Sequence, residues 1–358
     1  VAATWVVGYH LVVYDGYDPA GPAGVALRHG YLAVDLFFLL SGFVISLSYR
    51  RLFDRGTSLR NYAVFLLRRL ARIYPLYVAV IAFMLVLYGA GLSHGVTGKD
   101  LGVPLAENLL LVQAWGLADS LNGPSWSIST EFAAYLLFPW LLRAVLRRPP
   151  AGLALVAVVS LAALFYMASL PDPAGDPAHA SVPLDIAWSG SVWPLMRCLA
   201  EFSLGIVIYA EFQDLPVRRA AFLTDSLAIV LLALLCLHRT DVAAVATAAL
   251  LILALAADSG AAVIGRLLAS PPIFFLGEIS YSIYLLHLQE FRVRRLVESH
   301  LLRYLRPQLA DVLALLAFFA VLFASASLTY FFLEKPARDF FKRREGFFLR
   351  EERKNVLF

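Results

Sequence analysis

An all-helical membrane protein that crosses the bilayer about ten times is the fold this sequence predicts, and three observations predict it. Of the 358 residues, 60% are hydrophobic and only 16% are charged, and the mean hydropathy is +0.73, far from the balance of a soluble globular domain. Apolar runs approaching the roughly 20 residues that a hydrocarbon core requires recur along the whole chain. The net charge of +4 comes from Arg and Lys residues gathered in short segments between those runs. That pattern sets orientation in a membrane and speaks against a nucleic-acid surface.

Taken in order, the first run (1–13) is short for a span and starts abruptly at Val1, which implies residues upstream. The polar stretch YDGYDPAGPAG separates it from the second run, 31–49. A connection over 50–72 carries Arg50, Arg51, Arg55, Arg60, Arg68, Arg69 and Arg72 against the single acid Asp54, and the third run follows at 73–92. The acidic or nearly uncharged 93–125 leads through a Gly-Pro break to the fourth run, 126–142. Arg143, Arg147 and Arg148 precede the fifth, 151–170. After the acidic 171–194 come runs at 195–211, 223–238, 243–257, 273–289 and 310–333. With ten spans, the positive-inside rule places 50–72 and both termini in the cytoplasm, as in a multi-pass protein of the cytoplasmic (inner) membrane. No cleavable signal pattern is present. One connection breaks the rule: 290–309 holds Arg292, Arg294, Arg295, Arg303 and Arg306 on the expected outer side. The spacing of Leu296, Leu301 and Leu305 there suits an amphipathic segment lying in the interface. With no repeat and no low-complexity tract, residues 1–340 read as one transmembrane domain and 341–358 as a charged cytoplasmic tail. Cys198 and Cys236 both fall in apolar runs and offer neither a metal spacing nor a disulfide framework, so no metal is expected.

Ionisable groups inside spans are expensive and mark function by default. His10 and Asp35 stand out. On antiparallel helices joined by the polar stretch, both fall within about 1.5 turns of one membrane face. A carboxylate beside an imidazole would fix its tautomer and stabilise the imidazolium, the arrangement of a general base acting on a hydroxyl. The plainer reading is a histidine bonded to a carbonyl and an aspartate capping a helix. Arg68, Arg69 and Arg72 share a helix face in pairs at the mouth of the third span, where guanidinium forks suit phosphates; they would equally serve topology or lipid head groups. Trp126, Ser127 and Glu131 open the fourth span after the Gly-Pro break. Glu131 there is either a reacting acid or a dipole-stabilising one. Arg197 and Glu201, four apart, make an intrahelical pair. Ser280, Tyr284 and His287 share a helical face, which makes His287 a rival to His10.

Seven segments, in order, carry a family resemblance: WVVGYHL, GYLAVDLFFLLSGFVIS, LRRLARIYPLY, GPSWSISTEFAAYLLFPWLL, MRCLAEFSLGIVIY, LGEISYSIYLLH and FFLEKPAR. Through them the chain resembles the acyltransferase-three family of membrane O-acyltransferases, which includes O-antigen, exopolysaccharide and macrolide acylases. The resemblance implies a ten-helix enzyme that moves an acyl group, usually acetyl, from cytoplasmic coenzyme A to a hydroxyl of an acceptor. It makes His10 the essential histidine, Asp35 the acid of the second-span motif, Arg68, Arg69 and Arg72 the basic cytoplasmic motif, and Glu131 the acid of the tryptophan-serine motif. The family's arginine eleven residues before its histidine would precede Val1, and the chain resembles the stand-alone form. On this reading His10, Asp35 and Glu131 are catalytic. Arg68, Arg69, Arg72, Tyr74, Ser41, Trp126 and Ser127 bind acyl-CoA, while Tyr14, Arg197, Tyr284 and His287 bind acceptor. The partners are then acyl-CoA, a hydroxyl-bearing acceptor and the bilayer, without nucleic acid. The basic 290–309 connection would either contact lipid phosphates or border the acceptor entrance. A proton-coupled transporter would also bury His and Asp in its spans, but related halves with broken helices, its usual mark, are not seen in this sequence.

Overall fold

The computed structural model describes residues 1–15, 19–54, 56–90, 101–173, 182–188, 190–216 and 221–343, and among them the regular elements are all helices. In chain order they are α1 (Ala2–Asp15), α2 (Gly21–Arg28), a 3-10 turn (His29–Tyr31), α3 (Leu32–Phe53), α4 (Leu59–Gly89) and α5 (Gly102–Leu109). A second 3-10 turn (Gly123–Ser125) leads into α6 (Trp126–Leu146), α7 (Pro150–Met167), α8 (Trp193–Asp214), α9 (Ala221–Leu235) and α10 (Asp241–Ala257). The chain closes with α11 (Val263–Leu268), α12 (Pro271–Glu278), α13 (Ser280–Leu301), α14 (Pro307–Thr329) and a π turn (Tyr330–Glu334). Helix starts follow their local chemistry. The Ser58 side chain accepts from Asn61 N at 3.1 Å to cap α4, and prolines occupy the first turns of α7, α8 and α14, where no partner is needed for the missing N–H.

This is an integral membrane protein. Five stretches of described residues are long and apolar enough to cross a bilayer: Gly21–Phe53, Leu59–Gly89, Gly123–Leu146, Pro150–Met167 and Pro307–Arg343; α9 and α10 are shorter apolar helices. Two sequence expectations change. The run 273–289 is not one helix but breaks at Ile279 between α12 and α13. The 290–309 connection is not a loop: α13 continues to Leu301, and its Arg294 is buried, donating to Asp311 and lying 3.6 Å from Glu298. Of the expected tail, residues 344–358 lie outside the described residues.

The chain divides into two compact units, Val1–Thr57 with Gly102–Ser120 and Trp126–Gly277, and Ser58–Leu101 with Leu121–Ser125 and Glu278–Phe358. In the first, α3 and α8 lie backbone to backbone. Gly42 and Gly205 make this approach available, because a Cβ on either would drive into a carbonyl of the facing helix. Phe138 of α6 meets Phe202 of α8 edge to face at 6.1 Å. The connection after α7 folds back inside the unit: Leu184 and Ile186 are fully buried, and Leu184 N donates to Asp241 at 2.9 Å. In the second unit α13 packs along α14, with Phe291 and Phe318 5.1 Å apart. Tyr281 Oη of α13 donates to the Ile73 carbonyl of α4 at 2.5 Å, two residues before Pro75.

Candidate active site

In the first unit the site is built where α3, α6 and α8 meet. Asp35 sits in the first turns of α3, and its two oxygens accept from Nε (3.1 Å) and Nη2 of Arg197 on α8, a bidentate fork. Arg197 is 0% exposed. Its guanidinium carbon lies 5.8 Å from the ring centres of both Tyr31 and Trp126, which close over it as cation–π partners. Glu201, one turn along α8, has an oxygen 3.7 Å from Arg197 Nε. Trp126 is held in turn by an edge-to-face contact with Phe38 at 6.1 Å. Six residues beyond Asp35 on α3, about 9 Å along the axis, Ser41 Oγ donates to Glu131 of α6. Ser127 is buried, and its carbonyl accepts from Thr130 Oγ1 at 2.9 Å.

His10 is half-buried on α1, with its ring stacked on Tyr14 (5.4 Å, 10°) and tilted against Tyr9 (5.0 Å, 59°). Tyr14 is exposed. Asp35, expected beside His10, has both of its oxygens on the Arg197 guanidinium. The acid beside the histidine's aromatic neighbours is Asp185, which accepts from Tyr9 Oη and acts electrostatically on Tyr14.

Sequence reasoning missed this acid and a second buried cluster. Tyr31 Oη donates to Asp241, whose other oxygen lies 3.5 Å from His29 Nε2. The Nδ1 of His29 faces the carbonyls of Val25 (3.0 Å) and Leu235 (3.1 Å), so it carries a proton. Tyr9 and Tyr31 touch at 5.7 Å, which joins the two clusters. The signals were present: Tyr31 lies one helical turn before Asp35, and Asp241 is a lone acid opening an apolar run. Asp185 had none, since it lies in a connection whose fold-back no periodicity announces.

The second unit holds the remaining expected residues. Arg68, Arg69 and Arg72 follow one another on α4 with Arg68 and Arg72 exposed; Tyr74 stacks on Tyr77 at 6.3 Å. Arg72 acts electrostatically on Glu334 of the π turn, which is buried and accepts from Ser282 Oγ. Tyr284 Oη donates to the Pro124 carbonyl at 2.8 Å. His287 is fully buried, its Nδ1 2.8 Å from the Tyr284 carbonyl and its ring edge-on to Phe291 at 6.3 Å. These bonds tie Tyr284 and His287 into packing.

The chain is similar to known proteins along nearly its whole length. The acyltransferase domain family matches residues 1–334. "Acyltransferase MdmB" of Streptomyces mycarofaciens is 32% identical over 340 residues, 90% of this chain and 85% of that protein. "Protein 2 in picA locus" of Rhizobium radiobacter is 34% identical over 181 residues, 46% of this chain and 89% of that protein. The "putative peptidoglycan O-acetyltransferase YrhL" of Bacillus subtilis (strain 168) is 26% identical over 346 residues, 86% of this chain but 50% of that protein. No solved structure matches the chain at a significant level.

Proposed function

The chain belongs to the acyltransferase domain family, and from that membership we propose that it is an O-acyltransferase of the cytoplasmic membrane, with both termini cytoplasmic. It moves an acyl group, acetyl by preference, from coenzyme A to a hydroxyl of a glycan, glycolipid or macrolide-type acceptor. The observation that supports this best is the half-buried His10, held between Tyr9 and Tyr14 in the same unit as the Asp35–Arg197–Trp126 cluster.

His10 is the general base. Its imidazole takes the proton of the acceptor hydroxyl as that oxygen bonds to the thioester carbonyl carbon; the C–S bond then breaks and coenzyme A leaves as the thiolate, which is protonated from the imidazolium. Asp185 accepts from Tyr9 Oη and so holds the ring that lies against His10. Asp35 acts through Arg197, holding its guanidinium fixed beneath the rings of Tyr31 and Trp126. Glu131, held by the Ser41 hydroxyl, is the further catalytic acid, with Ser41, Ser127 and Trp126 binding acyl-CoA. The arginines of α4 suit the other substrate: Arg68 and Arg72 are exposed, present forks on one helix and are the right donors for the phosphates of coenzyme A.

The test is purified protein in lipid nanodiscs incubated with radiolabelled acetyl-CoA and a panel of glycan, glycolipid and macrolide hydroxyl acceptors. Transfer to an acceptor that is lost on His10→Ala supports the reading. Proton-coupled solute uptake in proteoliposomes without thioester consumption would replace it by a transporter.

A further inference from the structure

A cavity of about 490 Å³ lies between α7 and α8, on the side of α8 that does not face α3. Its floor is made of small residues, Ser160 and Ala163 of α7 with Ala200 and Ser203 of α8, and its walls of large apolar ones such as Val159 and Met196. From Leu155 to Met167 it follows α7 for twelve residues, about 18 Å at the helical rise. That is close to the depth of one leaflet, about half of a roughly 30 Å hydrocarbon core. One end is closed by Tyr166 against Trp193, 6.0 Å apart.

The other end carries a cation. Arg148, just before α7, lines the cavity and is exposed. Its Nε donates back to the Ala144 carbonyl at 3.2 Å, and no hydrogen bond from its two terminal amino groups is seen among the described residues. Gly152 makes room for the stem: a Cβ there would stand 2.8 Å from Arg148 Cβ and 3.3 Å from its Cδ. The side chain is thus laid along the start of α7, with Arg147 adjacent and Arg143 five residues before it in sequence and no acid between residues 143 and 167.

We infer that this cavity is a binding site for one acyl chain of an anionic phospholipid, with the lipid phosphate on the Arg148 fork and the chain running along α7 and α8 toward Trp193. The shape suits a single hydrocarbon chain, and the lining is apolar but for the Ser160 and Ser203 hydroxyls and the Arg148 end. The charge selects the head group, since a fork with unspent donors beside two further arginines meets phosphate bidentately. The floor residues Ala200 and Ser203 share α8 with Arg197, so the lipid braces the helix that carries the buried cation from its opposite side. The inference rests on the bilayer location and not on the acyl-transfer reading, so either can fail without the other.

Tryptophan quenching tests it on the full chain in detergent, with phospholipids brominated in mid-chain as the probe. The chain has six tryptophans, so the Trp193 signal is taken as the difference between the native protein and Trp193→Phe. Brominated phosphatidylglycerol is expected to quench that signal at a mole fraction roughly fivefold lower than brominated phosphatidylcholine, the preference that one arginine at a membrane surface supplies. Arg148→Gln should erase the preference and leave quenching at high mole fraction. Ala200→Phe or Ser160→Phe, which fill the floor from opposite helices, should remove quenching of Trp193 by either lipid while the other tryptophans respond as before. Equal quenching by both lipids in the native protein, or quenching unchanged by both fillings, means annular lipid only and overturns the proposal.

Discussion

Removing the positive member of the buried Asp35–Arg197 pair should harm the protein more than removing the negative one. Both side chains are about 1% exposed, so neither charge can turn to water. Arg197→Met leaves Asp35 and Glu201 buried in one small volume with their cation gone, since Glu201 lies 3.7 Å from the same guanidinium. Breaking a buried pair costs about 3–5 kcal/mol, and the lost contacts with the faces of Tyr31 and Trp126 at 5.8 Å add to it. The expected total is at the upper end, about 5 kcal/mol. Asp35→Asn keeps an acceptor for one arginine N–H, and the cation retains Glu201 and both rings, so about half that cost is expected. In the double variant the two costs should fail to add by about 1–3 kcal/mol.

Cys198, fully buried beside Arg197, supplies the readout. In a Cys236→Ser background, its reaction with a thiol-specific fluorophore along an SDS titration reports unfolding of this unit. Should Arg197→Met prove no more costly than Asp35→Asn, or should the two costs simply add, the pair is not the electrostatic centre of the unit and the reasoning fails.

His10→Ala should lower transfer 10²–10⁴-fold, the span of a general base, with the same SDS midpoint, because a half-buried ring resting on an exposed tyrosine carries little of the fold; a small kinetic effect would return the histidine to a packing role. Neutralising Arg68 or Arg72 to Gln should weaken coenzyme A binding by calorimetry, and raised salt should do the same to the native protein, since exposed contacts to phosphates are screened. Unchanged affinity in both variants would leave these arginines to topology. Gly205→Val should cost about 1–3 kcal/mol by forcing α8 off α3 and should lower transfer together with stability, whereas the same change at the open Gly277 should do neither.

What the sequence determined by itself follows from short-range physics. Hydrocarbon sets the length of apolar runs, and the regular elements among the described residues are all helices, five stretches of them long and apolar enough to span, because a backbone in lipid must satisfy its own hydrogen bonds. A lone ionisable group in such a run is visible from its neighbours alone, which is why His10, Asp35, Glu131 and Arg197 could be picked out. Boundaries failed where the apolar pattern stops carrying the information. α13 runs on through its arginines because Arg294 finds Asp311 on α14, and the break at Ile279 divides a run that hydropathy shows as continuous.

Partnership was decided by tertiary structure. Depth in the membrane can be counted along a helix, but the direction a side chain faces around its axis depends on which helix packs there. Depth made His10 and Asp35 plausible neighbours. What depth could not give is the Arg197 partner of Asp35, 162 residues away in the chain, which the close approach of α3 to α8 through Gly42 and Gly205 brings within reach. Asp185 and Asp241 came into the site the same way, the first through a connection folded back against α1 and the second through the Tyr31 hydroxyl. A buried charge takes the partner that packing brings within reach, and sequence spacing carries no measure of that.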